Sequence, residues 1–550
     1  MIFITIKEYD NTKEFFLPHE LSKYVDENDN CLLAERIVKG MKEDPSFQKV
    51  LRKYNREHGS KPGQKAYSME MLLIIIVAGV IDGVFSARKL SREIKRNTSY
   101  MYLTAMQTPD HSTISRFKKK YKLLIKEIFK KVVDMAKEEG MLNLGRIAID
   151  GSKYKANACL QNKIVAKEDY LPDDALNELF TRDDEEDEVY EDETDEMPEK
   201  LKEQKQINEL IKKQAIEEIN NNPDFEVKGK ASEEKIQKAK EESIKSQKRV
   251  VSTIDPDATL INFRGDKGFY VNTQHAVDGN HFIIGLTVSN SPNDFNQFIP
   301  IYEQTNENVG GLPEDCETLM DNGYSTDENI EYCEKHDIDA YIQTRQNAML
   351  NNGTKEDYPF SKTYFFWDNE KQGYWCPNKH LLTYKGETKK NKRKTYYTEK
   401  CLTCPDKDKC FKKGKYKRIY DNFTEAQTRM ITKMSSEEAQ NKYSHRMGMV
   451  EHTFGHTKYN LDHRQVSHQG LEDIETEQLL YAINYNTNRY LKLKREQNII
   501  NEEKVREKSL QTTLIENQQN IYYNNHEYSI NFNQKFWNTN ILMKTKAPIT

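Results

Sequence analysis

Apolar residues recur at helical spacing over 33 to 51, 69 to 81 and 121 to 138, so the first 140 or so residues predict a helical region with few strand signals. The longest apolar run, Met71 to Ile81, stops at Asp82. It falls short of the roughly 18 to 20 residues that cross a bilayer and is expected as a buried helix. Ser86 to Lys95 predicts a short basic helix, and Thr108-Pro-Asp-His-Ser-Thr-Ile-Ser-Arg-Phe a turn set by Pro109 with Asp110 or Ser112 capping the next helix. Arg116, Lys118, Lys119 and Lys120 follow. Two short helices, a tight turn and these bases suit a helix lying on DNA, and equally a bundle with a solvated basic face.

The pattern then changes to a short apolar strand ending in Asp-Gly, residues 146 to 153 (RIAIDGSK). Residues 161 to 250 are Glu, Lys and Gln with scattered Ile and Leu, which predicts an exposed helical or partly disordered insertion unable to supply core. Strands return at 269 to 277 and 281 to 288 around an Asp278-Gly279 turn. A helix at about 294 to 304, a strand Glu317 to Met320 ending at Asp321, a helix Thr326 to His336 and a strand Asp339 to Thr344 follow. This order is that of a ribonuclease-H-like mixed sheet flanked by helices, although periodicity does not exclude another α/β layer fold. Residues 360 to 420 are rich in Lys, Tyr and Cys, a long helical region is expected from about 435 to 493, and the Asn- and Gln-rich tail from 495 is expected to be weakly ordered. The whole reads as a multidomain α/β chain: a helical N-terminal DNA-binding domain (1–140), a catalytic domain assembled from 141–160, 251–350 and 430–494, and insertions at 161–250 and 360–420.

Composition refines this picture in two ways. At 550 residues, 36% apolar and 31% charged, the chain suits several domains with generous polar surface. The net charge of −5 is unevenly spread: Leu171 to Lys200 holds fifteen acids and two bases, hence −13, which leaves +8 for the remainder. A basic body with an acidic appendage is compatible with DNA binding. The opening MIFITIKEYD has no basic stretch followed by an apolar core, so no secretory signal is read and a cytoplasmic, nucleoid-associated protein with no membrane partner is expected.

Candidate chemistry gathers at Ile147-Ala-Ile-Asp150-Gly151 and Leu319-Met-Asp321-Asn-Gly323, each a carboxylate at a strand end. One Asp-Gly after a strand is usually a turn; two on strands expected to be neighbours point to a site, because side chains converge there. A third acid stands in Tyr443-Ser-His-Arg446-Met-Gly-Met-Val-Glu451-His-Thr-Phe454-Gly-His-Thr-Lys458, where Glu451 and Lys458 are seven apart and share a helix face. His452 and His456 lack the intervening Glu of a metalloprotease motif and are read as polar surface.

With these three regions the chain resembles bacterial insertion-sequence transposases of the DDE superfamily, in the branch with a Tyr-Arg-Glu-Lys signature. The subgroup is the one with a helical N-terminal transposase domain and a cysteine-containing insertion. The resemblance runs from about Tyr67 to Leu491, apart from the charged insertion, and is carried by PDHSTISRF, AIDGSKYKANA, DPDATL, YVNTQHAVD, NDFNQF, MDNGYS and VEHTFGHTK. It implies that Asp150, Asp321 and Glu451 are metal-binding acids, with Tyr443, Arg446 and Lys458 on DNA near the cut; Arg116 and Lys118 are expected DNA contacts of the N-terminal domain. Two Mg²⁺ (or Mn²⁺) ions suit in-line displacement at a phosphodiester, first by water and then by the freed 3′ hydroxyl. The partners implied are double-stranded DNA, as terminal repeats and as target, and a second copy of the chain at least when DNA is bound. One departure stands out. The usual signature leaves three residues between Arg and Glu, whereas four separate Arg446 from Glu451, about 140° apart on a continuous helix. Either the helix starts after Gly448 or Arg446 has another role.

Cys401 and Cys404 form a C-x₂-C pair with Cys410 six residues on and Cys376 beside Pro377, a set that favours a structural, zinc-ribbon-like Zn²⁺ site over disulfides in a reducing cytosol. The lysines and arginines around it suit phosphates. Two other functions stay open on the residues: a catalytically inactive DNA-binding regulator of the same descent, and a nonspecific nuclease of the same fold.

Overall fold

A computed structural model of the chain describes residues 20–27, 29–58, 66–166, 225–246, 248–343, 359–360, 364–368, 371–387, 394–411, 414–421 and 425–524. The acidic run at 171–200 and the last 26 residues of the tail therefore lie outside the described residues. Two units are distinguished, Met1–Arg489 and Tyr490–Thr550.

The first unit opens with seven helices: α1 (Asn30–Gly40), α2 (Pro45–His58), α3 (Met69–Ile81), α4 (Ala87–Arg96), α5 (Thr98–Leu103), α6 (His111–Lys120) and α7 (Lys122–Glu138). The apolar run forms α3, capped by Ser68, and every residue from Met71 to Ile81 is buried. Among the described residues no helix is long and apolar enough to cross a membrane. Asp110 caps α6 by accepting from the Thr113 amide at 2.6 Å, a bond that holds its carboxyl down at about 2.

The nine-stranded sheet comprises β1 (Arg146–Lys155), β2 (Lys163–Ala166), β3 (Phe225–Lys228), β4 (Val250–Ser252), β5 (Thr259–Phe263), β6 (Asp266–Asp278), β7 (Ile283–Ser289), β8 (Glu317–Met320) and β9 (Ala340–Ile342). β6 carries β1 along one edge, and along the other it takes β5 at its start and β7 further on. β8 joins β1 in parallel and β9 joins β8 in parallel. The central order is thus β7-β6-β1-β8-β9.

Helices cover both faces of this sheet. His275 of β6 meets Thr453 of α12 (Glu437–Gly455), while its neighbour Ala276 points the other way and pairs with Gly285, against which Thr305 of α9 (Phe298–Asn308) packs. Of two further helices, α11 (Glu425–Met434) packs on β9 and α10 (Asp327–Lys335) packs on α11. The helical N-terminal region is fastened to the sheet through α13 (Leu471–Asn524). Asn484 donates to the last carbonyls of α3, those of Val80 and Ile81, at 2.7 and 3.2 Å, and Tyr481 stacks on Phe85 at 4.0 Å. At the start of α13, Asp255 and Asp257 of the DPDATL segment accept from the amides of Gly470 and Leu471, which gives these acids a capping role.

Three expectations are corrected. First, the ends of the charged stretch are not an exposed appendage. β2, β3 and β4 extend the sheet beyond β5, and Ile164, Ala166, Phe225 and Val251 bury against Ala239 and Ile244 of α8 (Glu233–Lys245). A strand appended to an existing edge needs only one apolar face, so sparse Ile and Val suffice. Second, the helical region expected over 435 to 493 is interrupted: α12 passes into a π-helical turn at His456–Asn460, and non-helical residues follow to Gly470. Third, the helix continues to Asn524, where the tail was expected to be weakly ordered. Glu, Gln, Lys, Arg and Leu make up half of residues 495–524 and favour helix by propensity, so the lack of an apolar period did not mean the lack of a helix.

Because Ala166 pairs directly with Phe225, replacing residues 167–224 by an Asn-Gly turn should leave thermal unfolding within a few degrees of the parent. Removing 162–250 instead strips β2, β3, α8 and the first residue of β4, and should lower the midpoint by ten degrees or more, on the order of what losing several buried side chains costs. Equal midpoints for the two deletions would overturn this reading.

Candidate active site

Asp150 and Asp321 are brought together by sheet register. Ile149 pairs with Met320 in parallel, so the next residue on each strand is one of the acids. β1 does not end at Asp150, as its Asp-Gly suggested; it runs on to Lys155 against β6, and it is β8 that stops. Gly151 is needed for close approach: a Cβ there would collide with Asp294 Oδ1 and Gln274 Nε2.

The cation between the two acids is Arg446. Its guanidinium lies 2.7 Å from Asp150 and 3.8 Å from Asp321, with the arginine only 7% exposed. Burial pushes the Asp150 carboxyl up to about 6; Arg446 opposes that rise, and the charge of Asp321 adds to it. Arg446 therefore does not present itself to DNA as expected. Helix α12 runs unbroken through Gly448, which settles the spacing problem: Arg446 and Glu451 occupy different faces, and the arginine serves the acids. Arg446 Nε has no partner among the described residues.

Glu451 stands apart from this pair. It is exposed on α12, with no hydrogen bond or ion pair among the described residues, and no three His, Cys, Asp or Glu side chains among those residues are gathered as a metal would need. Seven residues on, the π-helical turn that extends this flank of the helix carries Lys458. Lys458 Nζ donates to Ser152 Oγ (2.6 Å) and to the Lys153 carbonyl (2.8 Å) and sits 4.3 Å from the centre of the Tyr154 ring. Burial lowers its ammonium to about 8. That flank therefore borders the strand segment just after Asp150. Tyr443 donates to Gln343 at 3.0 Å, and burial pushes its hydroxyl up to about 12.

A polar network lies on the other face of the strands, and the sequence reading did not single it out. Asp294 Oδ1 accepts from Lys153 (3.3 Å), Asn272 (2.7 Å) and Gln274 (2.8 Å), and Gln274 in turn accepts from Tyr324. Strand alternation puts Lys153 and Gly151 opposite in sense to Asp150, and Asp294 braces the strands there while its charge adds to the rise at Asp150. The available signal was the NDFNQF segment, which follows β7. His275, fully buried and stacked on Phe454, is pushed down to about 3 by burial and is a neutral packing group. His452 and His456 diverge, towards His281 and towards Asn484.

Of the N-terminal candidates, Arg116 is exposed and lines a cleft of about 620 Å³ with Tyr54, Tyr67, Asp110, Lys120 and Tyr121. Lys118 turns inward and donates to the Phe85 carbonyl at 3.1 Å, and burial lowers its ammonium to about 8. It is thus a packing group at the junction with α13, not an exposed base. In the cysteine segment, β10 (Phe366–Asp368), β11 (Gly373–Trp375), β12 (Leu381–Glu387), β13 (Lys394–Tyr397) and β14 (Ile419–Asp421) form a five-stranded antiparallel sheet. Cys376, Cys401, Cys404 and Cys410 all line one small cavity walled by Phe360, Phe365, Leu382 and Phe411. The His380 amide donates to Cys376 Sγ at 3.2 Å and Asn378 Nδ2 to Cys404 Sγ at 3.3 Å.

Comparison with known families gives two matches. A family described as a transposase DDE domain matches residues 375–491, and a family described as a transposase domain (DUF772) matches residues 19–120. Asp150 and Asp321 lie outside both segments. No curated protein matches the chain.

Replacing Arg446 by Met should leave Asp150 and Asp321 facing each other without a cation. In metal-free buffer we expect a loss on the order of 2 kcal/mol, less than a fully buried pair would cost because both acids keep a quarter to a third of their exposure. Added Mn²⁺ should then raise the melting midpoint of the variant more than that of the parent. An unchanged midpoint without metal would remove Arg446 from this role.

Proposed function

We propose that this chain, whose two matched segments are those of a transposase family, is a DDE transposase that cuts at the ends of an insertion sequence and joins them to target DNA. The observation that carries the reading is the placement of Asp150 and Asp321 side by side on adjacent strands, drawn to a single cation. Transposases act on DNA, and DDE domains generally use divalent metals. The β7-β6-β1-β8-β9 order with helices on both faces supports a ribonuclease-H-like catalytic domain.

The residues fit a divalent ion. Asp150 and Asp321 offer hard oxygen donors converging on one positive charge, the chemistry that suits Mg²⁺ or Mn²⁺. Bound there, a pair of such ions would activate the attacking oxygen and stabilise the leaving one. Glu451 is the third acid of the resemblance, and its carboxylate, exposed and unpaired among the described residues, is free to engage a ligand arriving along α12. Arg446 favours the ionised form of Asp150 and draws the two aspartates together before they are loaded. Lys458 holds the strand segment after Asp150, and its position beside that segment suits a phosphate contact. Arg116, with Lys119 and Lys120, supplies exposed charge for binding element ends, and a second copy of the chain would pair the two ends.

Asp150→Asn, Asp321→Asn and Glu451→Gln should each abolish Mg²⁺-dependent strand cleavage of DNA bearing matched terminal repeats, by 10³-fold or more. Binding should stay within a few fold, because affinity comes from phosphate contacts elsewhere. A variant that still cuts near the parental rate removes that acid from the site. Equal cutting of DNA without repeats would make the protein a nuclease, and binding without any cutting a regulator.

The cysteine module is proposed as a structural Zn²⁺ site. Four soft sulfur donors line one cavity and two of them accept N–H bonds, the donor set zinc takes; binding it would draw the sulfurs closer than they stand, since no three are gathered among the described residues. Elemental analysis of protein prepared in metal-free buffer should find one Zn²⁺ per chain, and Cys404→Ser should lose it together with the near-ultraviolet dichroism of the surrounding tyrosines. Zinc-free protein with that dichroism intact refutes the site.

A further inference from the structure

The five-stranded sheet of the cysteine module has two faces of different character. One carries its core: Tyr374, Leu382, Tyr396 and Ile419, with Phe365 packed beneath them. Side chains alternate along a strand, and directly opposed residues of antiparallel strands share a side. Phe366 pairs with Trp375 and Thr383 with Tyr397, so these residues lie on the second face.

That second face is aromatic and cationic together. Phe366 is 67% exposed. The Lys371 ammonium lies 4.7 Å from the centre of the Trp375 ring. Tyr397 stacks on Tyr416 at 4.9 Å and 14°, with Lys385 and the Arg418 guanidinium 5.7 and 5.9 Å from its ring. Lys371, Lys385 and Arg418 are themselves exposed. Residues 360 to 420 hold seventeen Lys and Arg against six Asp and Glu, a net +11 in a chain whose total is −5.

We propose that this face binds single-stranded DNA, with unpaired bases stacked on Phe366 and Trp375 and the phosphates held by Lys371, Lys385 and Arg418. Bases offer π faces at a spacing joined by negative charge, which is what interleaved aromatics and cations recognise. A duplex hides those π faces inside its own stack, and an acidic peptide would satisfy the cations while leaving Phe366 in water. The choice of DNA as the polymer rests on the transposase reading, in which cutting at an element end produces strand ends that can unpair; the stacking surface itself stands on the geometry alone.

The test uses the full chain in metal-free buffer, where no cutting occurs, and reads fluorescence anisotropy with a labelled oligothymidylate and with a duplex of random sequence. Phe366→Ala, at so exposed a position, should keep the parental melting midpoint. It should weaken oligothymidylate binding about tenfold, within the range that base stacking on an aromatic commands, and leave duplex binding within twofold. Lys371→Ala combined with Lys385→Ala should weaken the single strand and flatten its salt dependence. Unchanged oligothymidylate affinity in Phe366→Ala, or equal weakening for duplex and single strand, overturns the proposal. Tighter binding of oligouridylate than of oligothymidylate would make RNA the occupant and overturn it as well. The two readings fail separately: single-strand binding lost with Phe366 in a protein that cuts nothing sinks only the transposase reading, whereas cutting with unaltered binding in Phe366→Ala sinks only the surface.

Discussion

Two carboxylates placed side by side in a half-buried setting repel one another, and the rest of the site follows from how this fold tolerates them. The parallel pairing of β1 with β8 makes Asp150 and Asp321 neighbours whatever else the chain does. Burial alone would favour protonating one of them, as the raised pKa of Asp150 shows. Arg446 reverses part of that cost by entering between them, itself almost wholly covered, so helix α12 must cross the sheet where its buried face can deliver a guanidinium. The same helix turn then sends Glu451 outward, and the spacing that departs from the usual signature becomes a consequence of Arg446 serving the acids first.

Fixing the acids also needs support from below and from the side. Asp294 ties Lys153, Asn272 and Gln274 together on the face away from Asp150, and Gly151 leaves the room this takes. Lys458 fastens Ser152 and the Lys153 carbonyl from the π-helical turn that follows α12. The N-terminal helices are not loosely tethered to this frame. Asn484 completes the carbonyls at the end of α3, and Lys118 is spent on the Phe85 carbonyl, which leaves Arg116 and its exposed neighbours for any outside ligand.

How much was legible in the residues varied with the range of the interaction. The helices of the first 140 residues, the buried character of Met71 to Ile81 and the Asp110 cap depend on neighbours within one or two turns, and local pattern reports such neighbours well. The strands leading into Asp150 and Asp321 were legible as short apolar runs, although β1 continues past its Asp-Gly to Lys155, held there by pairing with β6. The strands β2 to β4 were missed because their hydrogen bonds come from the edge of β5, a partner distant in sequence that no window of charged residues can reveal. The break at 461 to 470 was missed for a related reason: Gln465 bridges to Lys155, and the Val466 amide donates to the Lys155 carbonyl, so this segment is shaped by β1 and not by its own periodicity.

The sequence by itself determined which residues carry charge, sulfur and carboxylate, and which of them end or border an element, since those properties belong to single residues and their immediate spacing. Only the tertiary structure decided which way each one points. Arg446 and Lys118 read as exposed bases because arginine and lysine usually are, yet each turns inward, Arg446 buried between a pair of acids and Lys118 half-buried against a carbonyl. Glu451, read as the third acid, lies exposed on α12 and apart from the two aspartates. Direction depends on strand register and helix rotation, which are set by packing across the whole sheet, and no local stretch of sequence contains that information.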